Sequence, residues 1–220
     1  MKERKIIRDL ILDPLPIEKQ GLLKGTTYKT PATLDFRDLV LKTEDQGNTP
    51  QCAAYTGTSW IESVMWRKTG NPVNYDPQAL YDAAKLIDGY PDEDGTTLPA
   101  IMDSIISLGW IDKTHNDIKY VTTAEELKRA IHKYGTVLCA FDVGLQWSVQ
   151  KGINMDKRID ATAGGHAVIC CGYNRHGVYI QNSWGTDWGS YGFCNIAWDV
   201  FKKEFRNGAY FANALDNLEE

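Results

Sequence analysis

Helices first and strands afterwards predict an α+β chain with two unlike halves and a cleft between them. Two observations carry this. The stretch CAAYTGTSWIESVMWRK, from Cys52, repeats apolar residues at helical spacing, whereas the later runs TVLCAFDV, GHAVICCGY, GVYIQNSW and YGFCNIAW are short, apolar and β-rich. No internal repeat relates the halves.

Each element has its own signals. Residues 1–30 mix charges with proline and glycine (DPLPIEKQGLLKGTTYKTP) and read as an N-terminal extension standing apart from the core. The first helix begins at Cys52 and ends before Gly70 and Pro72. Asp76 followed by Pro77 opens a second helix, DPQALYDAAKL, and Thr97 caps a third, LPAIMDSIISLG, after an acidic glycine-bearing loop. The segment TTAEELKRAIHKYG is a fourth helix, with Thr123 and Glu126 as a capping box, and the strands follow it. The expected organisation is thus an extension at 1–30, a mainly helical part at 31–118 and a β-rich part at 119–220.

With 220 residues and 43% hydrophobic content the chain can bury a substantial core. Lys plus Arg number 24 against 29 Asp plus Glu, a net charge of -5 with no basic run, which argues against nucleic acid as a partner. In MKERKIIRDLILDPLP, Arg8, Asp9 and Asp13 interrupt the apolar residues before a signal-peptide core forms. No stretch reaches the roughly 18 apolar residues of a spanning helix, so no membrane association is expected. The five cysteines, Cys52, Cys139, Cys170, Cys171 and Cys194, form no disulfide framework and no CxxC pair. They suit a reducing compartment, and a cytoplasmic location is the expectation. All but Cys52 lie in apolar strand-like runs and read as small buried hydrophobes.

Cys52 is different, because the start of a helix favours a thiolate. A thiolate nucleophile needs a base, and a third group to orient it. Of the four histidines, His166 alone sits in a glycine-led strand start, TAGGHAVICCGYN, whereas His115, His132 and His176 read as surface residues. Asn182, in QNSWGTDWGSYG, ends an apolar strand and can present its side-chain oxygen to an imidazole N–H, with Trp184 keeping water off that bond.

The order Gln…Cys…His…Asn, with QGNTPQC at a helix start, then GGHAV, then NSWGTDWGSYG, resembles the papain-like cysteine peptidases, the C1 family, over roughly Leu34 to Trp198. The resemblance implies a papain-like two-subdomain fold, a helical left part and a β-barrel-like right part with the active-site cleft between them. It implies Cys52 as nucleophile, His166 as general base and acid, Asn182 as its orienter, Gln46 as an oxyanion-hole donor and Trp184 as a shield. It implies hydrolysis of peptide or protein substrates through a thioester acyl-enzyme, with no metal or organic cofactor. By rough alignment Gly95, Thr96, Thr97 and Leu98 would line one side of the substrate cleft, with Ala140 and Gly165 opposite. Small apolar walls there suggest an apolar substrate side chain two residues before the scissile bond.

The chain departs from the family signature CG[SA]C[WY], having TPQCA: Thr49 stands for a cysteine tied in a disulfide in secreted members, and Ala53 for an aromatic residue. The extension is also too short for the family's long helical pro-region. Met1 to Thr30 is expected to pack on the body or across the cleft as a short latch, or the chain is active without processing. Two other functions use the same residues: acyl transfer or specialised amide hydrolysis, and a noncatalytic papain-fold binding protein. The intact Gln46, Cys52, His166 and Asn182 disfavour the second. Oligomeric state has no sequence signal.

Overall fold

The computed structural model describes residues 10–11, 29–111, 119–157 and 161–211. Chain order is β1 (Leu34–Asp35), a 3-10 turn (Arg37–Leu39), α1 (Cys52–Thr69), α2 (Pro77–Lys85), α3 (Leu98–Ser107), β2 (Lys119–Val121), α4 (Ala124–Tyr134), β3 (Val137–Val143), α5 (Leu145–Ser148), β4 (Asn154–Met155), β5 (Gly164–Tyr173), β6 (Gly177–Gln181), β7 (Phe193–Ala197), α6 (Trp198–Glu204) and β8 (Phe205–Phe211). The α+β class and the helix starts expected from sequence are those observed. Asp76 accepts the Gln78 N–H, Thr97 accepts that of Ala100, and Gly70 closes α1 in the left-handed conformation. The capping box of α4 differs in one bond. The Thr123 hydroxyl accepts the Glu126 N–H, but the Glu126 carboxylate takes its return bond from the Thr122 N–H at 2.9 Å, one residue earlier than the motif prescribes.

Among the described residues the sheet has eight strands in the order β2-β8-β3-β5-β6-β7-β4, with β1 paired to β5. It is not closed: β2 and β4 stand at opposite ends, so the barrel-like expectation becomes a curled open sheet. Antiparallel pairing of β3 with β5 sets Ala140 against Ala167 and Phe141 against His166. Because side chains alternate along a strand, the two faces of β3 and β5 serve two cores. Val137, Cys139, Phe141, Val168 and Cys170 face a core with Trp147, Trp184, Trp188 and Phe201, closed by α4 and α6. Leu138, Ala140, Ala167, Ile169 and Cys171 face a second core built on α1, α2 and α3.

Close approach of those helices explains a glycine inside α1. A Cβ on Gly57 would lie 2.7 Å from Ile101 Cγ2 and 3.1 Å from Leu80 Cδ2, so the small residue lets α2 and α3 pack against α1. Among the described residues no helix is long and apolar enough to cross a membrane.

Two expectations change here. Leu10 is 6% exposed and belongs to the helical-side core, so at this residue the extension is part of the core rather than outside it, in keeping with packing on the body. Apart from residues 10–11 and 29–30, the extension lies outside the described residues. His132 and His176 are half-buried rather than on the surface, and His176 Nε2 lies 3.1 Å from Asp156 Oδ1; His115 lies outside the described residues.

Candidate active site

The site is assembled by a stripe along α1. Thr56, Trp60 and Ser63 succeed one another at four- and three-residue spacing, which places them on one helix face. Each is bonded across to the sheet side. Thr56 Oγ donates to the Ala167 carbonyl at 3.1 Å, Trp60 Nε1 to the Thr136 carbonyl at 3.2 Å, and the Ser63 and Thr136 hydroxyls share a 2.6 Å bond. Cys52 begins the same stripe one turn before Thr56. Its end of the helix therefore lies beside the start of β5, where His166 precedes Ala167.

His166 is 1% exposed and Asn182 0%. His166 Nε2 and Asn182 Oδ1 are 2.8 Å apart. An amide oxygen only accepts, so the imidazole carries a proton at Nε2. Trp184 lies against the ring, with centroids 4.6 Å apart at 38°, and Trp147 meets it edge-on at 6.3 Å. Trp188 stacks on Trp147 at 6.1 Å and donates its indole N–H to the Trp147 carbonyl. A buried hydrogen bond in this apolar cage is stronger than it would be in water.

Gln46 reaches the same place by another route. The segments 44–46 and 183–185 pair through Gln46 N–H to the Ser183 carbonyl and Gly185 N–H to the Glu44 carbonyl, both 2.9 Å. The Ser183 hydroxyl donates to Gln46 Oε1 at 2.7 Å, and Gln46 Nε2 donates to the Thr49 carbonyl at 3.0 Å. Thr49, which stands where the family's cysteine would, closes this loop by donating its hydroxyl to the Gln46 carbonyl at 2.7 Å.

The expected cleft residues are only partly gathered. Thr96 and Gly165 stand on either side of Leu10, which bridges to both, and Ile11 N–H donates to the Thr96 carbonyl at 3.1 Å. Ala140 and Leu98 belong to the core that holds Leu10, and Gly95 precedes Thr96 in a left-handed turn with φ 83°. The Thr97 hydroxyl is committed to capping α3. Sequence reasoning missed Ser183, Trp147 and Leu10. Ser183 and Trp188 lay within the quoted NSWGTDWG; Trp147 and Leu10 carried no pattern that marked them.

The other four cysteines behave as buried hydrophobes. None of the five is in a disulfide, and Cys139, Cys170, Cys171 and Cys194 are 0% exposed. Burial pushes the Cys170 and Cys171 thiols well up, and the Cys194 thiol up to about 12.

Residues 104–211 match the model of the papain family cysteine proteases. The chain is 26% identical over 204 residues to procathepsin L of Felis catus, an alignment covering 77% of this chain and 61% of that protein. It is 28% identical over 214 residues to a cathepsin L-like peptidase of Aedes aegypti, covering 82% and 62%. It therefore spans about three fifths of the length of these relatives. Among solved structures, xylellain, a cysteine protease from Xylella fastidiosa, superposes with a TM-score of 0.79 at 18% identity over 96% of this chain and 98% of that one. A digestive procathepsin L 3 of Tenebrio molitor gives 0.71 at 16% identity, over 90% and 75%. The fold is that of a papain-like protein, α+β with an open sheet. In sequence the chain resembles the papain-like cysteine peptidases, and it shares their fold.

Proposed function

We propose that the chain is a cysteine peptidase hydrolysing peptide bonds in peptide or protein substrates. The observation that carries this is the buried 2.8 Å pairing of His166 Nε2 with Asn182 Oδ1 under Trp184, beside the helix start that bears Cys52. In this reading the Cys52 thiolate attacks the scissile carbonyl. The oxygen's developing charge is met by the Gln46 side-chain amide and the Cys52 backbone N–H. His166 Nδ1 passes its proton to the leaving amine, a thioester remains, and water deprotonated by His166 hydrolyses it. Residues 31–118 supply the nucleophile and Gln46, and residues 119–220 the histidine and asparagine.

Gly95, Thr96 and Leu98 on one side, with Ala140 and Gly165 on the other, form the proposed substrate walls, and an apolar side chain is preferred between them. Leu10 supports that choice, since the chain's own leucine lies there buried. The extension acts as a latch through this contact. A reducing, cytoplasmic setting fits five free thiols.

The test is labelling of wild type and Cys52→Ala by a thiol-directed epoxide peptide near neutral pH, read by intact mass, with peptide turnover measured in parallel. One label on wild type, none on the variant, and release of peptide product are expected. Folded wild type that neither labels nor turns over, with or without residues 1–30, refutes the reading. Unchanged activity and thermal stability on deleting residues 1–30 removes the latch.

A further inference from the structure

The loop between α2 and α3, LIDGYPDEDG, ends at Gly95, the start of the cleft wall. Asp88, Asp92, Glu93 and Asp94 give it four like charges, and repulsion among them opposes any single compact shape. Its shape comes from Lys85, the last residue of α2. The three Lys85 ammonium hydrogens are shared among four acceptors, Asp88 Oδ2 at 2.9 Å and the carbonyls of Tyr90 at 2.6 Å, Glu93 at 3.0 Å and Gly95 at 3.2 Å. The Lys85 side chain is 18% exposed and that of Asp88 0%. The second Asp88 oxygen accepts the Tyr90 N–H at 2.9 Å. An ammonium thus occupies the centre of an oxygen cage that elsewhere would suit a bound hard cation.

The outermost acceptor links the cage to the cleft. The Gly95 carbonyl shares a rigid peptide plane with the Thr96 N–H. Holding that oxygen sets the plane from which Thr96 departs, and the Thr96 carbonyl is the group that accepts the Ile11 N–H of the extended segment in the cleft. We propose that Lys85 is a positioning residue for substrate: its ammonium fixes the Gly95–Thr96 wall and so sets the affinity for an extended main chain, without acting on the chemistry at Cys52. This rests on reading that wall as the substrate wall of a peptidase.

The latch leans on the same wall, so the test is made on otherwise full-length chain carrying Leu10→Asp. Lys85→Met, which keeps the stem and removes the donors, is compared with that parent in kcat and KM on an apolar peptide substrate. Binding of the same peptide to Cys52→Ala versions is measured by calorimetry, and amide exchange is followed over residues 90–97. Misaligning one main-chain hydrogen bond is expected to raise KM and the dissociation constant about tenfold while kcat stays within about twofold. Exchange should quicken over 90–97 and stay unchanged in β3 and β5. Lys85→Arg keeps the charge and the Asp88 pair but spreads its donors in a fork, so a rise of about threefold is expected; if Lys85→Met does not fold, this variant decides by the same criteria. Unchanged KM and peptide affinity overturn the proposal, as does a fall in kcat at constant KM. If the parent turns over no peptide, the peptidase reading fails, and peptide affinity in the Cys52→Ala versions still decides the role of Lys85.

Discussion

Replacing Leu10 by Asp tests whether the extension gates the site. In the structure Leu10 is 6% exposed within the helical-side core, and its neighbour Ile11 donates one backbone hydrogen bond to Thr96. Burying a leucine side chain stabilises by about 2 kcal/mol, and a carboxylate in its place forfeits that. If the closed form dominates, the rate of labelling at Cys52 is the intrinsic rate multiplied by the open fraction. A loss of about 2 kcal/mol then speeds labelling about 30-fold, up to the ceiling of a fully open cleft. The assay is the time course of epoxide-peptide addition by intact mass, with Cys52→Ala as the blank and thermal midpoints recorded alongside. Leu10→Ala, which removes less apolar area, should fall between. Equal labelling rates for wild type and Leu10→Asp at equal stability would refute the gating argument.

Gln46→Ala removes one proposed oxyanion donor, a loss of about 3 kcal/mol, and should lower kcat by about two orders of magnitude while leaving peptide KM nearly unchanged in steady-state kinetics. Gly177→Ala tests the sheet: a Cβ there would overlap the Ile196 carbonyl across β6 and β7, backbone that cannot rotate away, so chemical denaturation should show a loss of about 3 kcal/mol or more. Glu62 gives a pH signature. Burial holds its carboxyl above the ordinary 4.5, against the opposing Tyr75 N–H bond at 2.8 Å. A raised carboxyl favours folding while protonated, so its contribution is present below pH 4.5 and lost as pH rises through the folded value. Glu62→Gln keeps an acceptor for Tyr75 without the charge. Its thermal midpoint should exceed wild type at pH 7 and approach it at pH 4, and the opposite ordering would contradict the sign.

The proposed catalytic residues were legible because chemistry restricts them to particular places. A cysteine opening a helix, a histidine after paired glycines and an asparagine ending a strand are local patterns, and a single chain displays them. The helix caps were legible for the same reason, since Asp76, Thr97 and Thr123 act within a few residues of themselves. Contacts set by tertiary placement were not. Ser183 meets Gln46 across 137 positions, and Trp147 meets the His166 ring only through the tertiary placement of α5. Leu10 looked like one apolar residue among charges. Barrel closure was misjudged because edge pairing between short strands such as β4 leaves no composition signal.

The burial of the site bears on which part of it moves. Cys52 is 0% exposed and His166 1%, so a peptide bond reaches neither without a displacement. The stripe Thr56, Trp60 and Ser63 bonds α1 to the sheet side, and β5 is paired to β1, β3 and β6; shifting either element breaks several buried hydrogen bonds at once. The described part of the extension is held to the proposed cleft walls by the Ile11 to Thr96 hydrogen bond, the bridges of Leu10 to Thr96 and Gly165, and the burial of one leucine side chain. Local opening follows the least costly set of contacts, so the segment at Leu10 should yield before either wall does. Amide exchange on the intact chain tests this order: the Ile11 amide should exchange well before those of Val168 and Ile169, and simultaneous exchange would mean that the cleft opens by parting its halves.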